Sequence, residues 1–301
     1  MIGRHPFVKI IFLALLSAAC TLAHASSAAL QAKLEQVAQT SGGKVGIGLM
    51  LMETQESAWL NPHSQFPMQS VYKFPIAMAV LAAIDAGKLK LDDMVTVNKS
   101  DLVGKRQHSP VRDLHPEGDF PMSVNELLRY AVSESDGTAS DVLLRTMGGP
   151  SRVMAFLKQL GVNQIHVLNT ESELGENNST QYRNSASPQA AINLLQVFYA
   201  GKGLSPDSRS LIMKLMLETE TGPQRIKGLL PAGTPVAHKT GTSLSAQGNT
   251  AATNDIGIVT LPDGKHLAIA VFVSDSPAST AIREQVIAQA ARLAWDNWTK
   301  N

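Results

Sequence analysis

The chain has 301 residues, 44% of them hydrophobic and 17% charged, with a formal net charge of +1. That is enough apolar material for one large domain or two lobes sharing a core, and the absence of charge runs and low-complexity tracts argues against long disorder. Nothing in the near-neutral balance suggests nucleic acid or an anionic membrane as partner.

Arg4 and Lys9 form a basic flank ahead of an apolar run from Ile10 to Ala19, in which Ser17 is the only hydroxyl. The run is shorter than the ~20 apolar residues of a membrane-spanning helix. Ala23-His24-Ala25 then supplies a small-x-small cleavage site, so residues 1–25 read as a signal peptide and the mature protein as periplasmic. A lipoprotein signal ending at Cys20 fits less well, because Leu16 stands one position too far upstream, and a buried N-terminal helix fits neither the basic flank nor the exit site. Cleavage after Ala25 takes the net charge from +1 to about −1. It also removes Cys20, the only cysteine, leaving a mature chain without thiol, disulfide or cysteine metal site. The default expectation is a monomer with no nucleic-acid or membrane partner.

Residues 28–40 carry Leu30, Leu34 and Val37 on one helical face and end at Ser41-Gly42-Gly43. Val45–Met52 has strand character and Ser57–Leu60 can pair with it. Gln69–Ala86, closed by Gly87, predicts a helix apolar almost all round and therefore internal. Residues 88–120 read as loop-rich, with Gly104, Pro110, Pro116 and Gly118. Ser123 with Glu126 predicts a capping box that starts a helical block running to about Leu160, broken at Gly148-Gly149-Pro150. Residues 168–187 read as a polar loop, followed by helices from Ser187-Pro188 to Ala200 and over 206–218. Strands follow at Val236–Thr242, Asp255–Leu261 and Lys265–Val273, the last two joined by the turn Pro262-Asp263-Gly264. A helix over Ser279–Trp298 closes the chain. The order predicts an α+β, two-lobe fold: a five-stranded antiparallel sheet with flanking helices (about 26–66 and 220–301), and an all-helical lobe (about 67–219), in one domain over 26–301 with a cleft between lobes.

Ser70-Val71-Tyr72-Lys73 is a Ser-x-x-Lys motif at the front of the buried helix. Residues three apart share a helix face, so Lys73 can approach the Ser70 hydroxyl, which is a poor nucleophile until a neighbour accepts its proton. Free N–H groups at the helix start suit an oxyanion. Ser41-Gly42-Gly43-Lys44 matches the same pattern but sits in a glycine turn. Ser135-Asp136-Gly137 stands at a break in the helical block, where Ser135 could pass a proton to a leaving nitrogen; by itself it reads as a helix cap. Lys239-Thr240-Gly241-Thr242-Ser243 lies in a predicted strand, with charge and hydroxyls for a carboxylate and a glycine that lets a ligand lie against the strand edge. Glu171, Glu173 and Glu176 all sit in the polar loop, and loop geometry alone does not choose among them.

In this order the motifs resemble those of the class A serine β-lactamases, a fold shared with the penicillin-binding transpeptidases. The resemblance spans the mature chain, with Phe66-Pro67-Met68-Gln69, Met147-Gly148-Gly149-Pro150 and Leu261-Pro262-Asp263-Gly264-Lys265 in agreement. Gln69, Gln181-Tyr182, Thr219-Glu220-Thr221-Gly222 and Thr253-Asn254-Asp255 look most like the PER/VEB extended-spectrum branch. The resemblance implies hydrolysis of the β-lactam amide and antibiotic resistance, without metal or cofactor. It makes Ser70 the nucleophile, with Lys73 and Ser135 as proton-transfer groups. Glu171-Ser172-Glu173-Leu174-Gly175 resembles the Ω-loop, which selects Glu171 as the base that activates the deacylating water.

The chain departs from the family pattern at several places. Gly137 stands where most members have Asn, and Gly175 where an Asn helps hold the deacylating water, so altered kinetics and slower deacylation are expected. Asn169 replaces the Arg that braces the Ω-loop. No Arg follows on Thr253–Leu261, so the resemblance transfers carboxylate binding to Arg225, beside Lys239, Thr240 and Thr242. His108 matches an aromatic wall position. The small Ser243 and the long connection Ser243–Asn254 suggest an open rim that admits oxyimino side chains. A DD-peptidase, a β-lactam sensor domain and a disabled homologue are the rival readings. The first two would stop at one acyl group per protein.

Overall fold

The computed structural model describes residues 28–177 and 179–299. The predicted signal peptide and Cys20 lie outside them. A helix over 28–39 (α1) precedes strands β1 (Lys44–Leu51), β2 (Ser57–Leu60) and the short β3 (Phe66–Pro67). A 3-10 turn over Gln69–Tyr72 leads into α2 (Lys73–Asp85). Then come β4 (Met94–Val97), α3 (Pro110–Leu114), β5 (Phe120–Ser123), α4 (Val124–Val132), α5 (Gly137–Met147), α6 (Pro150–Gln159) and β6 (Ile165–His166). The second half holds α7 (Glu171–Glu176), β7 (Ser185–Ala186), α8 (Pro188–Tyr199), α9 (Pro206–Leu217), β8 (Val236–Thr242), β9 (Ser245–Ala246), β10 (Asn249–Thr250), β11 (Thr253–Thr260), β12 (His266–Ser274) and α10 (Thr280–Trp298).

The predicted five-stranded antiparallel sheet is present, in the order β2-β1-β12-β11-β8. Both faces are buried, and strand alternation sorts the side chains. Along β12, Leu267, Ile269, Val271 and Val273 join a core with α1 and α10, while Ala268, Ala270 and Phe272 join another with α2, α4, α5 and α8. That second core runs unbroken from the sheet into the helical block. β8 is an edge strand and leaves one side open to the cleft.

Local signals place the breaks. Ser123 and Glu126 form the predicted capping box. Asp136 caps α5, Gly148 ends it with φ 93°, and Pro150 opens α6. The loop-rich stretch 88–120 holds β4, which pairs with β5 across 22 intervening residues. Two predictions need correction. The polar stretch 168–187 contains α7, started by a Thr170/Glu173 capping box whose residues resemble ordinary loop polarity. The helix predicted from Gln69 begins as a 3-10 turn, so Ser70 lies before the α-helix proper.

Candidate active site

The 3-10 turn carries the nucleophile candidate. Three residues per turn eclipse i and i+3, and Lys73 Nζ donates to Ser70 Oγ at 2.9 Å. The turn is pinned from the sheet by Asn254, whose Nδ2 donates to the carbonyls of Pro67 at 2.8 Å and Met68 at 3.1 Å. Gln69, next to the serine, has φ 47°, and Ser135 has φ 60°. Non-glycine residues in this region are uncommon and cluster where surrounding structure over-determines them.

Lys73 is 1% exposed. Its remaining partners are the carbonyl of Ser135 at 2.7 Å and Oε2 of Glu171 at 3.4 Å. Lys239, fully buried, donates to Ser135 Oγ at 2.8 Å and to the carbonyl of Thr240 at 3.2 Å. Burial, and then the Lys73 charge, hold the Lys239 ammonium well below the usual lysine range, opposed by Asp255 and Glu171. All four candidate catalytic residues therefore meet in one contact network: Ser70, Lys73, Ser135 and Glu171.

The structure separates the three competing glutamates. Glu171 is 8% exposed and faces Lys73. Glu173 points away and accepts from Asn169 Nδ2 and Thr170 N, both at 2.9 Å, and Glu176 is exposed. The Ω-loop lacks an arginine brace but not a brace. Asn184 Oδ1 accepts from Leu168 N at 2.8 Å and Asn169 N at 2.9 Å, and its Nδ2 returns a bond to the Asn169 carbonyl at 2.9 Å. Asp141, on α5, accepts the N–H groups of Glu171 at 2.6 Å and Ser172 at 2.8 Å. The Asp141 carboxyl, accepting from these free N–H groups, docks α7 against α5.

Alternation along β8 divides the Lys-Thr-Gly segment. Lys239 and Gly241 face the helical block, and a Cβ on Gly241 would lie 2.2 Å from the Met68 carbonyl, so the glycine lets β8 approach the nucleophile turn. Thr240 and Thr242 face the other way. The Thr240 hydroxyl meets that of Thr221 at 2.6 Å, and Thr242 Oγ1 accepts from Arg225 Nη2 at 2.7 Å. Arg225 is 4% exposed, with Nη1 on the carbonyls of Gly241 and Asn254 and Nε paired to Glu284 at 3.1 Å. Its guanidinium reaches the site through Thr242.

A cleft of about 260 Å³ lies over Ser70, lined by Gln69, Gln107, His108, Glu171, Gly175 and Thr242 among others. His108 is at its wall, with Nε2 2.9 Å from the Glu134 carbonyl. Ser243 lines the cleft too, but it is buried and its Oγ accepts from Ala252 N at 2.9 Å, closing the base of the β9–β10 hairpin; the exposed rim residue is Leu244. Gly137 and Gly175 sit against Glu171 and Gln107 respectively. A larger hollow of about 720 Å³ at the far end of α2 carries none of these groups. Sequence reasoning missed Tyr72, Gln107, Asp141 and Asn184. The one available signal was polar residues inside apolar segments, as for Asp141 among buried neighbours on α5.

An amine in reach of a serine hydroxyl, with a carboxylate beside that amine, is acid–base equipment for acyl transfer and puts the chain among serine hydrolases. The sequence model of the β-lactamase enzyme family (Beta-lactamase2) matches residues 29–298, and the chain belongs to that family. Extended-spectrum β-lactamase PER-1 of Pseudomonas aeruginosa is 40% identical over 271 residues, covering 90% of this chain and 88% of that protein. The crystal structure of TLA-3 extended-spectrum β-lactamase superposes with a TM-score of 0.88 at 41% identity, covering 91% of this chain and 100% of that one. An ancestral class A β-lactamase gives a TM-score of 0.80 at 32% identity, covering 89% and 99%. In agreement with the sequence resemblance, the chain is a class A serine β-lactamase.

Proposed function

We propose that this cleft opens the amide of penicillins and cephalosporins, oxyimino-cephalosporins included, through an ester on Ser70, and thereby confers β-lactam resistance. The reading rests on one observation: Lys73 Nζ lies 2.9 Å from Ser70 Oγ and 3.4 Å from Glu171 Oε2.

Ser70 Oγ adds to the lactam carbonyl while its proton passes to Lys73 as free amine, or through a water to Glu171. Backbone N–H groups of Ser70 and Thr242 hold the oxyanion. As the C–N bond breaks, Ser135 gives its proton to the nitrogen and takes in return the proton that left Ser70, while Lys239, 2.8 Å away, holds the Ser135 oxygen and keeps its own charge. Lys239, Thr240, Thr242 and Arg225 hold the substrate carboxylate. Glu171 then takes a proton from water, the water oxygen adds to the ester carbonyl, the ester C–O bond breaks, and Ser70 regains its proton. Water is the only co-reactant. The extended-spectrum part is supported by the names of PER-1 and TLA-3 and by the long connection from β8 to β11, which carries the β9–β10 hairpin at the rim.

The basic flank, apolar run and Ala23-His24-Ala25 support export with loss of residues 1–25 and action in the periplasm. The core that runs unbroken from the sheet into the helical block supports one domain over 26–301, with a monomer as the default assembly. No helix among the described residues is long and apolar enough to cross a membrane.

Burst kinetics with a penicillin test the reading. Wild type should turn over many equivalents, Ser70→Ala none, and Glu171→Gln should stop near one covalently bound equivalent. Turnover surviving in Ser70→Ala overturns it, and a wild type that stops at one equivalent points to a peptidase or sensor instead.

A further inference from the structure

Tyr72 occupies an unspecified position of the Ser-x-x-Lys motif and is fully buried beneath the nucleophile turn. Its hydroxyl donates to Glu171 Oε2 at 2.7 Å. Lys73 Nζ faces the same oxygen at 3.4 Å. Both contacts fall on Oε2, and among the described residues no donor is recorded on Oε1, although Glu171 lines the cleft.

We propose that Tyr72 is a positioning residue for release of the Ser70 ester: together with Lys73 it pins one carboxylate oxygen of Glu171, so that the other is presented to the deacylating water. The inference rests on the acyl-enzyme reading above.

The physical argument has three parts. A glutamate carboxylate turns in a broad, two-fold torsional well, so its backbone position does not fix which oxygen faces the cleft. Asp141 holds the Glu171 backbone N–H at 2.6 Å, but this leaves the carboxylate free to turn. A buried phenol–carboxylate bond is charge-assisted and directional, which a 3.4 Å ion pair is not. The donor is also permanent. Burial, and then the charges of Glu171 and Asp141, push the phenol well above its usual range, so it keeps its proton wherever the enzyme works. The charged groups facing this carboxylate are Lys73 from α2, Asp141 from α5 and, farther off, Lys239 from β8.

Tyr72→Phe deletes one oxygen and keeps every carbon, and thermal unfolding checks that the variant is folded. For a two-step acyl-enzyme mechanism kcat/KM reports acylation, whereas slower deacylation lowers kcat and KM together. With a penicillin, Tyr72→Phe should lower kcat by about tenfold, the lower end for a displaced general base, lower KM in parallel, leave kcat/KM within about twofold, and accumulate acyl-enzyme visible by mass spectrometry. In a Glu171→Gln background the same change should add nothing to the residual release rate. An unchanged kcat, a fall in kcat/KM as large as that in kcat, or a further loss in the Glu171→Gln background each overturns the proposal. Failure of the wild type to turn over at all would instead overturn the parent reading.

Discussion

Gly137 and Glu171 are fitted to each other: a Cβ on residue 137 would lie 2.8 Å from Cγ of Glu171, 3.2 Å from the His108 carbonyl and 3.3 Å from Val103 Cγ2. The space that the usual Asn side chain would enter is therefore filled, in part by the group assigned to deacylation. Gly137→Asn, although it restores the common residue, should displace Glu171. Steady-state kinetics should show kcat down by about tenfold or more, and urea melts a loss of about 1–3 kcal/mol from overpacking. An active variant with raised kcat would contradict the fit.

Gly175 has a matching partner in Gln107. A Cβ there would lie 2.6 Å from Gln107 Oε1, and that side chain bridges two loops, accepting from Gly104 N at 3.0 Å and donating through Nε2 to the Glu171 carbonyl. Gly175→Ala and Gln107→Ala should each cost about 1 kcal/mol and slow deacylation, because each removes the same bridge. The double variant should cost no more than either alone. Additive losses would show that the two residues act separately.

Asp141 makes the docking of α7 sensitive to pH. Burial pushes its carboxyl up to about 7, opposed by the N–H groups of Ser172 and Glu171 and reinforced by the Glu171 charge. Since the folded form holds the proton more tightly than the unfolded chain, whose carboxyl titrates near 3.8, the resulting stability is complete below that value. It is lost as the pH rises through about 7. Asp141→Asn lacks this titration. The stability of wild type relative to Asp141→Asn should therefore fall between about pH 4 and 7, with a slope of at most about 1.4 kcal/mol per pH unit, the limit for one proton. Urea melts across that range check it, and a flat difference would refute it.

Arg225 supports Thr242 and two carbonyls while balancing Glu284, which is itself mostly buried. Arg225→Ala leaves that carboxylate unpaired, at a cost of about 3 kcal/mol, and should raise KM for β-lactams about tenfold with a smaller change in kcat. Arg225→Lys should not rescue it, because a point charge cannot serve acceptors spread around a planar fork. An unchanged KM in Arg225→Ala would remove Arg225 from carboxylate binding.

Period and punctuation made most of the fold legible. Alternating strands, the Ser123 capping box, Gly148-Gly149-Pro150 and the Pro262-Asp263-Gly264 turn are set by neighbours a few residues away, and the chain obeys them. Ser70, Lys73, Ser135, Lys239 and Glu171 were legible too, as members of motifs. The sequence did not reveal that Tyr72 reaches Glu171 across 99 positions, that Gln107 arches over Gly175, or that Thr240 and Thr242 turn from the face Lys239 occupies. Nor did it separate Glu171 from Glu173 by chemistry, since both are glutamates in one polar stretch. Those decisions belong to tertiary structure because a side chain's role depends on which distant group fills the space in front of it. Burial makes that choice discriminating, as an interior hydroxyl or carboxylate must find its partner in the fold and not in water.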